Sequence, residues 1–181
     1  MAFLPRAICH SRLDLLFYTF NLRTMSIDQR SLAALSTLHP KFKPSAVQAW
    51  GEAQAAMPPN VQIIVVQGLR TFAESDALYA QGRTTPGEIV TKAAAGQSYH
   101  NYGLAFDFCM ITNGKDDDVV GPNWLTVVHI MEQNGMFWGG NFPEGFHDNP
   151  HFENRYGHNW RDLLALYNAK RFIPGTQYVD I

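Results

Sequence analysis

The chain has 181 residues, of which 46% are hydrophobic, 13% aromatic and 17% charged, with a formal net charge of −2. That length and composition suit one domain with a proper core and argue against a disordered chain. A near-neutral balance without lysine- or arginine-rich runs argues against a nucleic-acid partner and against a polybasic membrane anchor.

Residues 1–24 look superficially like a secretory leader. Arg12 and Asp14 interrupt the segment, the apolar run 15–20 is short, and no small-residue cleavage site follows. Residues 1–25 therefore read as a weakly structured extension before a domain over 26–181. An extra helix packed on that domain is the equal alternative. Synthesis in the cytoplasm without a signal peptide is the expectation. Cys9 and Cys109 do not form a disulfide framework on this reading. No stretch approaches the length of a membrane span.

In chain order, Ile27, Leu32, Leu35 and Leu38 predict a short helix over 26–38, ending before His39-Pro40. Pro44 opens a second helix with Val47, Trp50, Ala53 and Met57 on one face. The β-branched run 61–66 is a strand. Thr71 and Glu74 form a capping-box pattern ahead of a helix over 72–81. Residues 82–98 form a long loop, a length that usually signals function. A strand over 104–111 follows. Asn113-Gly114 and Asp116 to Asp118 make a solvated turn rather than a calcium site, because ligand spacing is lacking. Trp124, Val127, Val128 and Met131 define an amphipathic helix over 122–133. Short strands over 136–140 and 151–153 flank a loop, and Asn159 caps a last helix to Lys170, with Leu163, Leu164 and Tyr167 inward. This order predicts an α+β fold with a small, mainly antiparallel sheet and flanking helices.

Asp107 stands inside an apolar strand, which is costly unless the carboxylate is paired or binds a cation. Strand alternation puts Phe106 and Phe108 on one face and Asp107 on the other. His100 lies seven residues earlier. If the two converge, the chain must bend, and Gly103 can supply the bend. In Asp148-Asn149-Pro150-His151, Pro150 favours an extended path on which Asp148 and His151 face the same way. Two histidines and a carboxylate form a zinc set with room for water, and a second carboxylate is then needed to move protons. Asp148 suits that task. Arg70, at a strand end, can hold a carboxylate or an oxyanion, or else form a salt bridge to Glu74 or Glu153. Ser98 reads as a hydrogen-bonding support to the zinc site rather than a nucleophile.

Residues 98–107 resemble the SxHxxGxAxD signature of the zinc D-Ala-D-Ala carboxypeptidase family, and Asp148-x-x-His151-Phe152-Glu153 resembles its closing motif. Gly68-Leu69-Arg70-Thr71, residues 79–84 and Trp138-Gly139-Gly140 resemble the L-alanyl-D-glutamate endopeptidase subgroup, which includes phage endolysins. The resemblance implies the Hedgehog/DD-peptidase fold. It implies Zn2+ on His100, Asp107 and His151, with Asp148 as catalytic base and Arg70 on the substrate or transition state. The implied substrate is the peptidoglycan stem peptide, cut by a monomer that reaches the cell wall after release. Leu69 stands where an aromatic is common, and His147 is a rival ligand or proton donor. A D-Ala-D-Ala carboxypeptidase or dipeptidase of the same fold is the alternative, and a zinc-stabilised module without turnover is the second.

Overall fold

A computed structural model describes residues 28–181. Cys9, the leader-like segment, the proposed extension and the first two residues of the expected opening helix lie outside them. Helix α1 (Gln29–Ser36) starts on Asp28, whose side chain accepts from the Ser31 amide. Helix α2 (Lys43–Ala56) carries Pro44 in its first turn, where a missing N–H costs nothing. Its buried face is Ala46, Ala49, Trp50 and Ala53. Val47 is 38% exposed and Met57 lies beyond the helix, so the expected stripe is displaced. The alanines let the helix lie close to its neighbours, and the Trp50 indole donates to the Ile63 carbonyl at 3.0 Å. A stripe traced through large side chains misses a face built of small ones.

Strand β1 (Val61–Gln67) pairs antiparallel with β2 (Ala105–Thr112), with an irregularity between Val65 and Gln67. Between them runs α3 (Phe72–Ala80), closed at its start by the expected Thr71–Glu74 capping box. After β2, Asn113 and Gly114 both take positive φ and form a two-residue hairpin turn. The turn returns the chain as a short strand β3 (Lys115–Asp116), where only a turn is expected from sequence. Helix α4 (Pro122–Gln133) buries Trp124, Val127, Val128 and Met131, as its periodicity requires. Strand β4 (Phe137–Trp138) is shorter than expected, and residues 139–141 form a 3-10 turn instead. Strand β5 (His151–Glu153) lies between β2 and β4, and every pairing of these strands is antiparallel. This is the small sheet with flanking helices that the pattern predicts.

The core lies under β2 and β5. Phe106, Phe108 and Phe152 pack against one another, with Phe42 on one side and Trp124 on the other. Helix α5 (Trp160–Asn168) buries Leu163. Tyr167 is not inward: it stays 37% exposed and stacks on Phe72 at 4.3 Å. The tail folds back, so that Val179 is buried and its carbonyl meets Nε2 of His39 at 2.9 Å. Among the described residues no helix is long and apolar enough to cross a membrane.

Candidate active site

Asp107 pairs directly with His151 across β2 and β5, which puts both side chains on the sheet face opposite Phe106 and Phe152. His100 arrives from a 3-10 turn (Tyr99–Tyr102), and its own amide donates to the Ser98 hydroxyl. Ser98 thus supports the histidine's backbone, not its ring. The bend that brings His100 over Asp107 sits at Gly103, with φ of +69°. A Cβ there would lie 2.7 Å from the His39 amide nitrogen, so only glycine fits.

Hydrogen bonding fixes the tautomers. Nδ1 of His100 lies 2.8 Å from the Gly68 carbonyl oxygen, and Nε2 of His151 lies 3.0 Å from a Glu153 carboxylate oxygen. Each of these nitrogens must donate, which leaves lone pairs on Nε2 of His100 and Nδ1 of His151. Those two atoms and Oδ1 of Asp107 are each 3.1 Å apart. Three lone pairs facing one another at that distance repel unless positive charge sits among them. Edges of about 3.3–3.4 Å follow from tetrahedral zinc with bonds of about 2.0–2.1 Å, so a small opening of the triangle accommodates the ion. A proton answers the same demand. Burial lowers the basicity of His151, but the Asp107 and Glu153 carboxylates outweigh it and raise the imidazole to about 9. Burial likewise raises Asp107, and the two imidazoles hold it far below the usual carboxylate range. The donor set His100, Asp107 and His151 therefore has the composition, tautomers and spacing of a metal centre.

Glu153 is 2% exposed and ties His151 to Arg155. Strand alternation from His151 through Glu153 carries one step further to Arg155, a signal the sequence reading did not use. Arg70 contacts neither Glu74, which is taken by the Thr71 cap, nor Glu153. It places Nη2 3.5 Å from Oδ2 of Asp107, and its Nε is buried without a partner among the described residues. Its own amide donates to the His100 carbonyl at 3.0 Å.

Asp148 reaches the same cleft, of about 480 Å³, as His100, Asp107, His151 and Arg70. The backbone of residues 148–151 is not the extended path expected from Pro150: it turns tightly, with the His151 amide donating to the Asp148 carbonyl, and packs on Gly139. A Cβ on Gly139 would meet Asp148 O at 2.4 Å and the His151 Cβ at 2.9 Å. The Trp138 indole fixes the turn from outside by donating to the Asn149 carbonyl at 2.7 Å. These contacts explain the Trp-Gly-Gly stretch. Asp148 stands exposed at the rim, yet the surrounding walls desolvate it and, with the Asp107 charge, raise its carboxyl above the ordinary value. His147 is exposed, holds the Gly140 carbonyl through Nδ1 and does not join the metal donors.

The cleft continues past Asp148 into a second hollow of about 590 Å³ between the loops 82–98 and 142–150. Lys92 joins these loops, donating to the Gly145 carbonyl and lying 4.0 Å from the centre of the Phe146 ring. Arg83 pins the first loop by donating to the carbonyls of Tyr79 and Thr91.

A family described as D-alanyl-D-alanine carboxypeptidase matches residues 91–154, which span the donors and the Asp148 turn. The peptidoglycan L-alanyl-D-glutamate endopeptidase CwlK of Bacillus subtilis is 40% identical over 129 residues, covering 65% of this chain and 74% of that protein. Two solved structures share the fold. The L-Ala D-Glu endopeptidase ChiX of Serratia marcescens has a TM-score of 0.50 and 19% identity, covering 78% of this chain and 96% of its own. The vancomycin resistance D,D-dipeptidase VanXYg has a TM-score of 0.50 and 18% identity, covering 76% and 61%. With a relative of that identity and coverage, and with the family's motifs meeting in one cleft, the chain belongs to the D-alanyl-D-alanine carboxypeptidase-type family of peptidases, alongside its L-alanyl-D-glutamate endopeptidases.

Proposed function

We propose that the protein is a zinc peptidase that hydrolyses the L-alanyl-D-glutamate bond of the peptidoglycan stem peptide. The observation that carries this reading is the meeting of two imidazole nitrogens and a carboxylate oxygen, 3.1 Å apart, beside a rim carboxylate in an open cleft. The bond is taken from the likeness to CwlK. The cleft supports an extended peptide, because it runs on from the donors into a second hollow.

His100, Asp107 and His151 would hold the zinc, which when bound supplies a Lewis acid and lowers the pKa of a water to about 7. Asp148 takes the proton from the attacking water and delivers it to the leaving amine. Its desolvated position at the rim suits a carboxylate that both accepts and returns a proton. Arg70 stabilises the oxyanion that develops on the carbonyl, and its 17% exposed side chain keeps that charge out of bulk water. Glu153 fixes the tautomer and orientation of His151. All these residues come from one chain, so a monomer suffices to cut stem peptide in the cell wall.

Digestion of purified stem peptides by the zinc-loaded protein, with the fragments weighed by mass spectrometry, tests the reading. Release of L-alanine-ended and D-glutamate-started fragments is expected. Free D-alanine with the L-Ala–D-Glu bond intact would favour a carboxypeptidase or dipeptidase instead. Binding without any fragment would favour a module without turnover.

A further inference from the structure

We propose that Arg155 recognises the free carboxylate of the substrate's glutamate and so sets which stem peptides the enzyme accepts. This rests on the endopeptidase reading above. A bond from L-alanine to D-glutamate puts a glutamate directly after the point of cleavage. Glutamate has two carboxyl groups, and the peptide continues through only one of them. The other stands free, as an anion unless it is amidated. A negative charge therefore enters the cleft within a residue of the reacting carbonyl, and the cleft needs a cation to receive it.

Two arginines, Arg70 and Arg155, line the cleft among the described residues. Arg70 is largely enclosed, with its side chain 17% exposed and turned toward Asp107. Lys92 lines only the adjoining hollow and is engaged by Gly145 and Phe146. Arg155 differs from both, for its side chain is 46% exposed. Its Nε donates to Glu153, whose other oxygen holds His151 at 3.0 Å. The rings of Tyr99 and Phe137 lie 5.4 Å and 4.9 Å from its guanidinium carbon. The group is thus tethered at one nitrogen and flanked by aromatic faces, a single carboxylate away from a metal-donor histidine. Neither Nη makes a hydrogen bond among the described residues. A planar fork held in place with both terminal nitrogens free is the arrangement that takes a carboxylate through two parallel hydrogen bonds. Glu153 sharpens the requirement. Its carboxylate is almost fully buried in the same wall and would repel an incoming anion if Arg155 did not stand in front of it.

Two stem peptides that differ only at this group, a free carboxylate in one and a carboxamide in the other, test the proposal with the zinc-loaded wild type, Arg155→Gln and Arg155→Lys. The wild type is expected to show kcat/KM roughly ten- to a hundredfold higher on the acid, mainly through a lower KM. In Arg155→Gln the acid-to-amide ratio should fall toward one, and Arg155→Lys should retain part of it. Calorimetric binding of the D-glutamyl product and of its amide should show the same preference without turnover. A wild type that cuts both peptides equally overturns the proposal without need of any variant. So does an Arg155→Gln that loses kcat equally on both and keeps the preference, because loss of support to Glu153 alone would do that. Failure of the wild type to cut either peptide overturns the endopeptidase reading, and this assignment with it.

Discussion

The three proposed metal donors stand on paired strands and a capped turn, and their side chains are exposed by 3%, 19% and 7% for His100, Asp107 and His151. Asp148, Lys92 and Phe146 stand on segments without helix or named strand, and all three residues are exposed. The floor is held by backbone ladders and by the aromatic core beneath Phe106 and Phe152. Apart from the turn that carries Asp148, the rim is tied largely by side-chain contacts, such as Lys92 to Gly145 and Arg83 to Thr91. The contrast assigns different work to each. Metal geometry tolerates little movement, so its donors belong on elements that open only with the whole domain. A rim must admit and release a long peptide, so it belongs on segments that can give locally.

The largest effects should separate holding the metal from using it. Asp107→Asn is expected to lose zinc and hydrolysis together. Asp148→Ala should keep stoichiometric zinc by elemental analysis while wall hydrolysis falls about 10²- to 10⁴-fold. Unchanged lysis by Asp148→Ala would remove the proposed mechanism. Next comes the support behind the donors. Glu153→Gln should weaken zinc binding about 10- to 100-fold in competition with a chelating dye. A variant that binds zinc like the wild type would show that His151 needs no such partner.

His39 tests the structural backing behind the floor. Its Nε2 donates to the Val179 carbonyl and its Nδ1 accepts from the Lys41 amide, so the folded state needs the neutral ring. Burial is the main cause that lowers its pKa below 6.5. The unfolded chain therefore takes up a proton that the folded one refuses. The stability from neutral His39 is fully present above 6.5 and is lost as pH falls through the lowered folded value. His39→Gln should destabilise by about 1 kcal/mol at neutral pH. It should also flatten the decline of the unfolding midpoint toward about pH 5. A decline as steep as in the wild type would assign the acid sensitivity elsewhere. The smallest effect is expected at the rim. Lys92→Met removes an exposed contact worth about 0.5–1 kcal/mol, so KM should rise a few-fold with little change in unfolding midpoint. A loss of zinc in this variant would break the division between floor and rim.

Much of this was readable in the chain itself. Capping chemistry placed the start of α3, and the spacing of Trp124, Val127, Val128 and Met131 placed α4, because both signals act within a few residues. The face of α2 was misread because alanines, not large side chains, line it. The Asn113-Gly114 hairpin was legible in principle but was read only as solvated. His39 found its partner 140 residues away, at a distance no local pattern spans.

The residue types themselves determined what chemistry was available: two imidazoles and an aspartate out of place in an apolar strand, a glycine able to bend, and a second carboxylate, Asp148, three residues before His151. Those are properties of short segments, governed by local sterics and by the cost of burying charge. Only the tertiary structure decided that His151 stands opposite Asp107, that Gly68 and Glu153 engage the outer nitrogens of the two imidazoles, that His147 stays outside, and that the Arg155 side chain is left partly exposed. Each of these depends on strand pairing and loop packing between residues far apart in the chain. Their energies arise only when the whole sheet closes.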